Sequence, residues 1–435
     1  MRLTVQDLLN ECADVRLERG AATTVFDGGF VDSRAAVPGG LFVGIAGEHT
    51  DGGLHAPDAA EAGAAAVVLG PEAWETVRQS PKLTTAAVLV ADDPGAVLRD
   101  AGRLALERVG ARVVAVTGSV GKTTTKDILV ALLNECGQEA HGTPGNHNTE
   151  IGVPLALLAM PNSTRVAVVE MGMRGAGQIA ELTDCAPPDV ACVTSIAPVH
   201  LELLGTMEAV AAAKAEVFTG LRAGGVAVVP ADEPLLAPHL AALREGVRVV
   251  RFDELESRIV MNLGKDWQRR NAAAAVACCD ALKVDIPGGL HLNVGLSAMR
   301  GQEYPLDGGG VLIEDCYNAN PVAMKAALAD LATHTGRRVA ILGDMFELGG
   351  EERRFHRDVG GLVSMFGIER LIAIGERASA YVEGAQGTES TRFETVEEAV
   401  EALPGLLKPG DTVLVKASRG MALERVSTAI REFAG

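Results

Sequence analysis

The run Thr117-Gly118-Ser119-Val120-Gly121-Lys122-Thr123-Thr124-Thr125 stands between an apolar stretch, Arg112 to Val116, and a stretch of helical composition, Lys126 to Cys136. Glycines at 118 and 121 let backbone N–H groups turn inward around an anion. Lys122 adds a point charge, and the Thr123 hydroxyl can ligate a magnesium ion held by phosphates. The chemistry this predicts is the binding of a nucleoside triphosphate by Gly118, Ser119, Val120, Gly121, Lys122, Thr123 and Thr124. The spacing is a shortened T-G-x-x-G-K-T-[ST], because Val116 rather than a glycine stands five residues before Gly121. A plain Gly-rich turn with a surface lysine would need neither a strand before it nor a helix after it with Gly137 as its stop.

A magnesium-triphosphate site needs carboxylate oxygen beyond the threonine, since Mg²⁺ takes hard oxygen ligands. Glu170, at the end of the apolar run Val166 to Val169, fits that need. His200 and Lys214 follow within about fifty positions, and each alone is more often a surface or capping group. The loop Gly142 to Gly152 carries Asn146 and Asn148 and is richer in amides than a turn requires. Asp315-Cys316-Tyr317-Asn318-Ala319-Asn320-Pro321 is similar, a strand end followed by groups able to hydrogen-bond ribose or phosphate. The nine histidines form no spaced pair suggesting zinc.

The elements that must position these groups are legible as apolar runs. The first hundred residues hold short ones, Leu41 to Ile45, Ala64 to Leu69 and Ala87 to Val90, and read as a small α/β unit. Val113 to Val116, Val166 to Val169, Val190 to Val193 and Val226 to Val229, separated by helical stretches such as Met207 to Gly220, predict a mostly parallel sheet covered on both faces. A second series, Val311 to Ile313, Val339 to Leu342, Leu371 to Ile374 and Thr412 to Val415, predicts another doubly wound sheet. The polar residues follow the runs, and in such sheets ligands bind beyond the carboxyl ends of strands. The linker falls near Leu292 to Gly301. The fold expected is α/β in three domains: residues 1–105, a central P-loop domain over 106–298 and a Rossmann-like C-terminal domain over 299–435.

Composition excludes several classes. The 435 residues are 48% hydrophobic and 3% aromatic, and no apolar run nears the roughly 20 residues of a membrane span. The 39 basic and 57 acidic residues give a net charge of −18, which argues against a nucleic-acid partner. The segment Met1 to Asn10 lacks a basic region followed by an apolar one, so a cytoplasmic protein is expected. Seven cysteines without a C-x-x-C read as reduced core thiols.

Together these segments resemble the Mur ligase family of ATP-dependent amino acid and peptide ligases, over nearly the whole chain. Asp32-Ser33-Arg34, Pro38 to Val43 and Gly47-Glu48-His49-Thr50-Asp51-Gly52 are similar to the family's uridine-nucleotide-binding domain. The P-loop, Glu170 to Arg174, His200-Leu201-Glu202 and Lys214-Ala215-Glu216 match its ATPase domain. Tyr317 to Pro321, Leu342 to Gly349 and Lys416 to Met421 resemble the members that join D-Ala-D-Ala to UDP-N-acetylmuramoyl-tripeptide. The Asp-Asn-Pro-Arg signature of the diaminopimelate-adding relatives is missing.

The resemblance implies ATP and two Mg²⁺ ions as cofactors, an acyl-phosphate intermediate and a monomer. Lys122, His200, Lys214 and Arg300 are the expected catalytic residues, with Lys214 carbamylated and Arg300 on the γ-phosphate. Thr123, Glu170, His200 and Lys214 would hold metal, Asn271 the adenine and Asp315 the ribose. Substrate contacts would come from Asp32, Ser33, Arg34, Asn146, Asn148, Asn318, Asn320, Asp344, Lys416, Ser418 and Arg419. At the adenine motif Trp267 and Gln268 depart from the family's Gly-x-His-Asn-x-x-Asn. The rival readings are another Mur-type ligase, a folylpolyglutamate synthetase, or a nucleotide switch, which would need a guanine-selecting [NT]-K-x-D that the chain lacks.

Overall fold

Strands Arg112–Thr117, Val166–Glu170, Val190–Val193 and Val226–Pro230 are buried along their length apart from Arg112, as strands must be when helices cover both faces. The computed structural model describes residues 2–47, 50–253, 258–262, 264–295 and 297–434, so Glu48 and His49 of the N-terminal motif lie outside the described residues. The central sheet is wholly parallel. Its order is Arg248–Phe252, Val226–Pro230, Val190–Val193, Arg112–Thr117, Val166–Glu170, Ala140–Gly142. Alternate residues serve different cores. Val114, Val116, Val166 and Val168 meet Ile128, Leu129 and Leu132 of helix Lys122–Glu135 and the alanine-rich helix Asp266–Ala281. Val113, Ala115, Ala167 and Val169 face Ile179 and Leu182 on the other side.

The C-terminal sheet runs Gln302–Leu306, Gly310–Glu314, Thr412–Lys416, Arg338–Gly343, Arg370–Ile374, Glu389–Phe393, with the first pair antiparallel and the rest parallel. The N-terminal sheet has five strands, in the order Val15–Arg19, Ala87–Ala91, Ala66–Leu69, Leu41–Val43, Gly29–Phe30. The α/β class expected from the sequence is the class observed.

Differences lie at edges and ends. Four strands were expected in each large sheet and six are present. The additional ones, such as Arg248–Phe252 and Gln302–Leu306, are edge strands whose half-exposed residues break the apolar run. The helix after the P-loop begins at Lys122 rather than Lys126. The helix from Met207 ends at Ala215 and tightens into a 3-10 turn, Glu216–Phe218.

Candidate functional site

The phosphate-loop sequence folds into a cradle because two glycines carry backbone that side chains disfavour. Gly118 has φ 142° and Gly121 φ 86°. A Cβ at Gly118 would lie 2.1 Å from Thr194 Oγ1, and one at Gly121 would lie 2.3 Å from Asn271 Oδ1. Thr194 and Ser195, at the carboxyl end of the neighbouring strand, brace the loop. Thr194 Oγ1 donates to Val120 O at 2.5 Å, and Val120 N donates to Ser195 Oγ at 3.0 Å. Neither was a candidate site residue, although their position after an apolar run beside the loop strand carried the signal. Lys122 Nζ donates to Gly118 O at 2.8 Å. Burial pushes its amine below the ordinary value; the Glu170 charge opposes this and the Arg300 charge adds to it.

Glu170 is buried at its strand end. Its Oε1 accepts from Asn148 Nδ2 at 2.7 Å, and its backbone N bonds Thr143 Oγ1 at 3.1 Å. Its Oε2 is buried without a hydrogen-bond partner. An acceptor-only oxygen so placed, lining the same cavity as Thr123, fits a divalent cation. Lys214 is fully buried and its Nζ also lacks a partner. Burial, then the Lys122 charge, holds its amine well below the usual lysine range, against Glu216 and Glu170. Lys214 does not line the cavity itself.

The carboxyl ends of the two large sheets meet across a cavity of about 1200 Å³. Arg300 crosses the junction: its Nη2 donates to Thr123 Oγ1 at 3.0 Å, and its guanidinium lies 4.0 Å from the Tyr317 ring centre. His200 Nδ1 stands 2.5 Å from Glu347 Oε2. Both residues have left-handed φ, 53° and 64°, a cost that clusters at functional sites. The His200 imidazole holds the Glu347 carboxyl below its usual range. Glu347 lies within the Leu342 to Gly349 signature, where the sequence alone marks no role for it. Asp315 pairs with Lys416 at 2.8 Å, and Lys416 also donates to Asn318 O at 2.9 Å. Ser418 Oγ accepts from Phe346 N at 2.9 Å, and Arg419 pairs with Glu424 at 2.8 Å.

The cavity wall includes Ser119, Val120, Gly121, Lys122, Thr123, Thr124, Asn146, Asn148, Glu170, His200, Asn271, Arg300, Asp315, Asn318, Asn320, Lys416, Ser418 and Arg419. Asn320 also caps helix Pro321–Leu331, accepting from Ala323 N at 2.9 Å. Trp267 lines the cavity, whereas Gln268 caps its helix through Lys265 N at 3.0 Å. Gly118 and Lys214 are not among the lining residues, and neither are four of the expected substrate residues. Asp344, expected on the substrate, is buried with its carboxylate on the backbone N–H groups of Glu376 and Arg377, at 3.0 and 3.1 Å, because the adjoining turn needs those donors satisfied. Asp32, Ser33 and Arg34 lie in the N-terminal unit, away from this cavity, with Asp32 and Arg34 paired at 2.7 Å and the Arg34 side chain 88% exposed.

A strand-loop-helix phosphate cradle facing a second doubly wound sheet fits an ATP-dependent ligase. Residues 116–287 match the Mur ligase middle domain, and residues 299–419 match the domain described as Mur ligase, glutamate ligase domain. The chain is 34% identical to the UDP-N-acetylmuramoyl-tripeptide–D-alanyl-D-alanine ligase of Bacillus subtilis strain 168, covering 93% of each. It is 31% identical to the Escherichia coli K12 protein of the same name, covering 98% of this chain and 97% of that one. Among solved structures it is similar to MurF from Acinetobacter baumannii, with TM-score 0.87, 26% identity and 99% of both chains covered. It is also similar to MurF ligase from Thermotoga maritima in complex with ADP, with TM-score 0.78, 25% identity and 93% and 97% covered. The chain belongs to the Mur ligase family.

Proposed function

We propose that this chain joins D-Ala-D-Ala to UDP-N-acetylmuramoyl-tripeptide at the expense of ATP, through an acyl phosphate, in peptidoglycan precursor synthesis. The observation that carries the reading is the junction itself, where Lys122, Thr123 and Glu170 of one sheet and Arg300 and Lys416 of the other line one cavity. The names and coverage of the similar proteins support the substrate pair, and the similar structure with ADP supports the nucleotide.

Loop N–H groups and Lys122 hold the β and γ phosphates, and Arg300 reaches the γ-phosphate from the other domain. The acceptor's terminal carboxylate attacks the γ-phosphorus and ADP leaves; the D-Ala-D-Ala amine then attacks the acyl carbon, and phosphate leaves with the proton that the nitrogen gives up. The first step brings two anions together and the second builds negative charge on the acyl oxygen beside the phosphate, which is why the wall presents cations where charge gathers. Thr123 and Glu170 would hold one Mg²⁺, and His200 with a carbamylated Lys214 a second; the ions would neutralise phosphate charge. Asn271 serves the adenine and Asp315 the ribose. Asn146, Asn148, Asn318, Asn320, Ser418 and Arg419 orient the peptides. Asp32, Ser33 and Arg34 serve the uridine nucleotide. Residues 1–105, 106–298 and 299–435 divide these tasks, in a cytoplasmic monomer.

The test is ADP release from ATP with UDP-N-acetylmuramoyl-tripeptide, with and without D-Ala-D-Ala, and the mass of the product. Turnover that needs the dipeptide, with a product heavier by one dipeptide less water, is the expected result. Turnover with glutamate and a folate instead would select the folylpolyglutamate synthetase reading.

A further inference from the structure

Thr123 and Asp127 stand four residues apart on helix Lys122–Glu135 and so share one face, a turn apart. Both reach the linker between the large sheets. Thr123 Oγ1 accepts from Arg300 Nη2 at 3.0 Å. Asp127 Oδ2 accepts from Ser297 Oγ at 2.8 Å and from Ser297 N at 3.1 Å. Gln302, which begins the first strand of the C-terminal sheet, ties the linker to itself: its Nε2 donates to Ser297 O at 2.6 Å, and its Oε1 accepts from Arg300 N at 2.7 Å. Asp127 is itself held, since its Oδ1 lies 2.9 Å from Lys126 Nζ, which donates to Thr143 O at 2.8 Å. The hydrogen bonds form a closed ring, from Thr123 along the helix to Asp127, then through Ser297 and Gln302 to Arg300 and back.

We propose that Asp127 and Gln302 are positioning residues for Arg300, a role that rests on Arg300 acting at the γ-phosphate as argued above. An arginine on a linker has many rotamers, and a phosphoryl group in flight tolerates misplacement of only about half an ångström. The Tyr317 ring fixes the guanidinium plane. The ring of hydrogen bonds fixes the backbone from which it extends. Asp127 ties the linker to the same helix that begins with the phosphate-loop lysine, so arginine and phosphate share one frame of reference. Because the contact matters most as charge moves in the transition state, loosening it should lower kcat while leaving ATP binding nearly intact.

The experiment is a cycle in the full-length enzyme, reading kcat and KM for ATP by ADP release, with Tm as the control for folding. Asp127→Ala and Gln302→Leu are made singly and in an Arg300→Ala background. Each single variant should lower kcat by about tenfold to a hundredfold, with KM for ATP changing less than about threefold. Neither should lower kcat further once Arg300 is gone. Gln302→Glu, which keeps the acceptor for Arg300 N and loses the donor to Ser297 O, should recover part of the rate. Should Gln302→Leu unfold, Ser297→Ala removes one side-chain hydrogen bond and is read in the same cycle. Equal losses with and without Arg300, or a raised KM with unchanged kcat, would overturn the positioning role. An Arg300→Ala enzyme with wild-type kcat would instead overturn the reading of Arg300 on which the role rests.

Discussion

Arg300 Nη2 donates to Thr123 Oγ1 across the domain junction, at 3.0 Å and 177 positions away in sequence. The hydroxyl suited to a metal-bound triphosphate therefore already faces a cation from the other domain, and the two halves of the site are in register. Lys122 donates to Gly118 O and lines the same cavity. Lys122→Ala and Arg300→Ala should each lower kcat for ADP release by about 10²- to 10³-fold, with circular dichroism and Tm close to wild type. A folded Lys122→Ala enzyme retaining most of its kcat would remove the assignment of the loop.

The Asp32–Arg34 pair is exposed and is not part of the cavity at the phosphate loop, in a unit with no phosphate loop of its own. Arg34→Ala should raise KM for UDP-N-acetylmuramoyl-tripeptide and leave KM for ATP unchanged, as steady-state titration of each substrate would reveal. The opposite pattern would place the uridine nucleotide elsewhere.

His356 ties the turn after strand Arg338–Gly343 to the following helix. Its Nε2 accepts from Met345 N at 2.9 Å while Nδ1 faces Glu352 O at 2.7 Å, so the folded state needs the neutral ring. Burial lowers its pKa from the ordinary 6.5, with the Glu352 backbone bond opposing. Below pH 6.5 the unfolded chain takes a proton that the folded one refuses, so this contribution to stability is complete above pH 6.5 and falls as pH drops toward the folded pKa, by at most about 1.4 kcal/mol per pH unit. His356→Gln should lower Tm at neutral pH yet flatten its decline between about pH 6.5 and 5. A variant as acid-sensitive as the wild type would assign the decline to other groups.

What the sequence disclosed and what it hid have the same physical origin. Strands buried on both faces, such as Val166–Glu170, must be apolar throughout and announce themselves, and the polar residue that ends them, Glu170, marks the site edge. Edge strands such as Glu389–Phe393 alternate with solvent and carry no such run. Asp344 looked like a substrate group because it ends an apolar strand next to a signature, but a buried carboxylate is equally needed to satisfy turn N–H groups, and only the fold reveals that Glu376 and Arg377 supply them. Glu347 and Asp127 owe their importance to partners 147 and 170 positions away, His200 and Ser297, a relation no local pattern encodes.

Lys214 offers the sharpest test, because a lysine acting as a cation and one acting as a carbamate predict opposite results. Its amine is buried, unpartnered and held well below the usual range by burial and by the Lys122 charge, which favours the uncharged form that attack on carbon dioxide requires. Attack of that amine on CO₂ with loss of one proton would turn a group offering only donors into a bidentate carboxylate on a long arm. Glu170 bears on the same site electrostatically, and its own orphaned oxygen faces the same need for a cation. Lys214→Ala should be nearly inactive, and acetate or another short carboxylic acid should restore part of kcat by returning oxygen to the metal. Rescue should saturate with acid concentration, and the wild-type enzyme should lose activity when CO₂ is stripped from the buffer and regain it on adding bicarbonate. Restoration by small amines, with indifference to acetate, would overturn the carbamate while leaving the ligase reading intact.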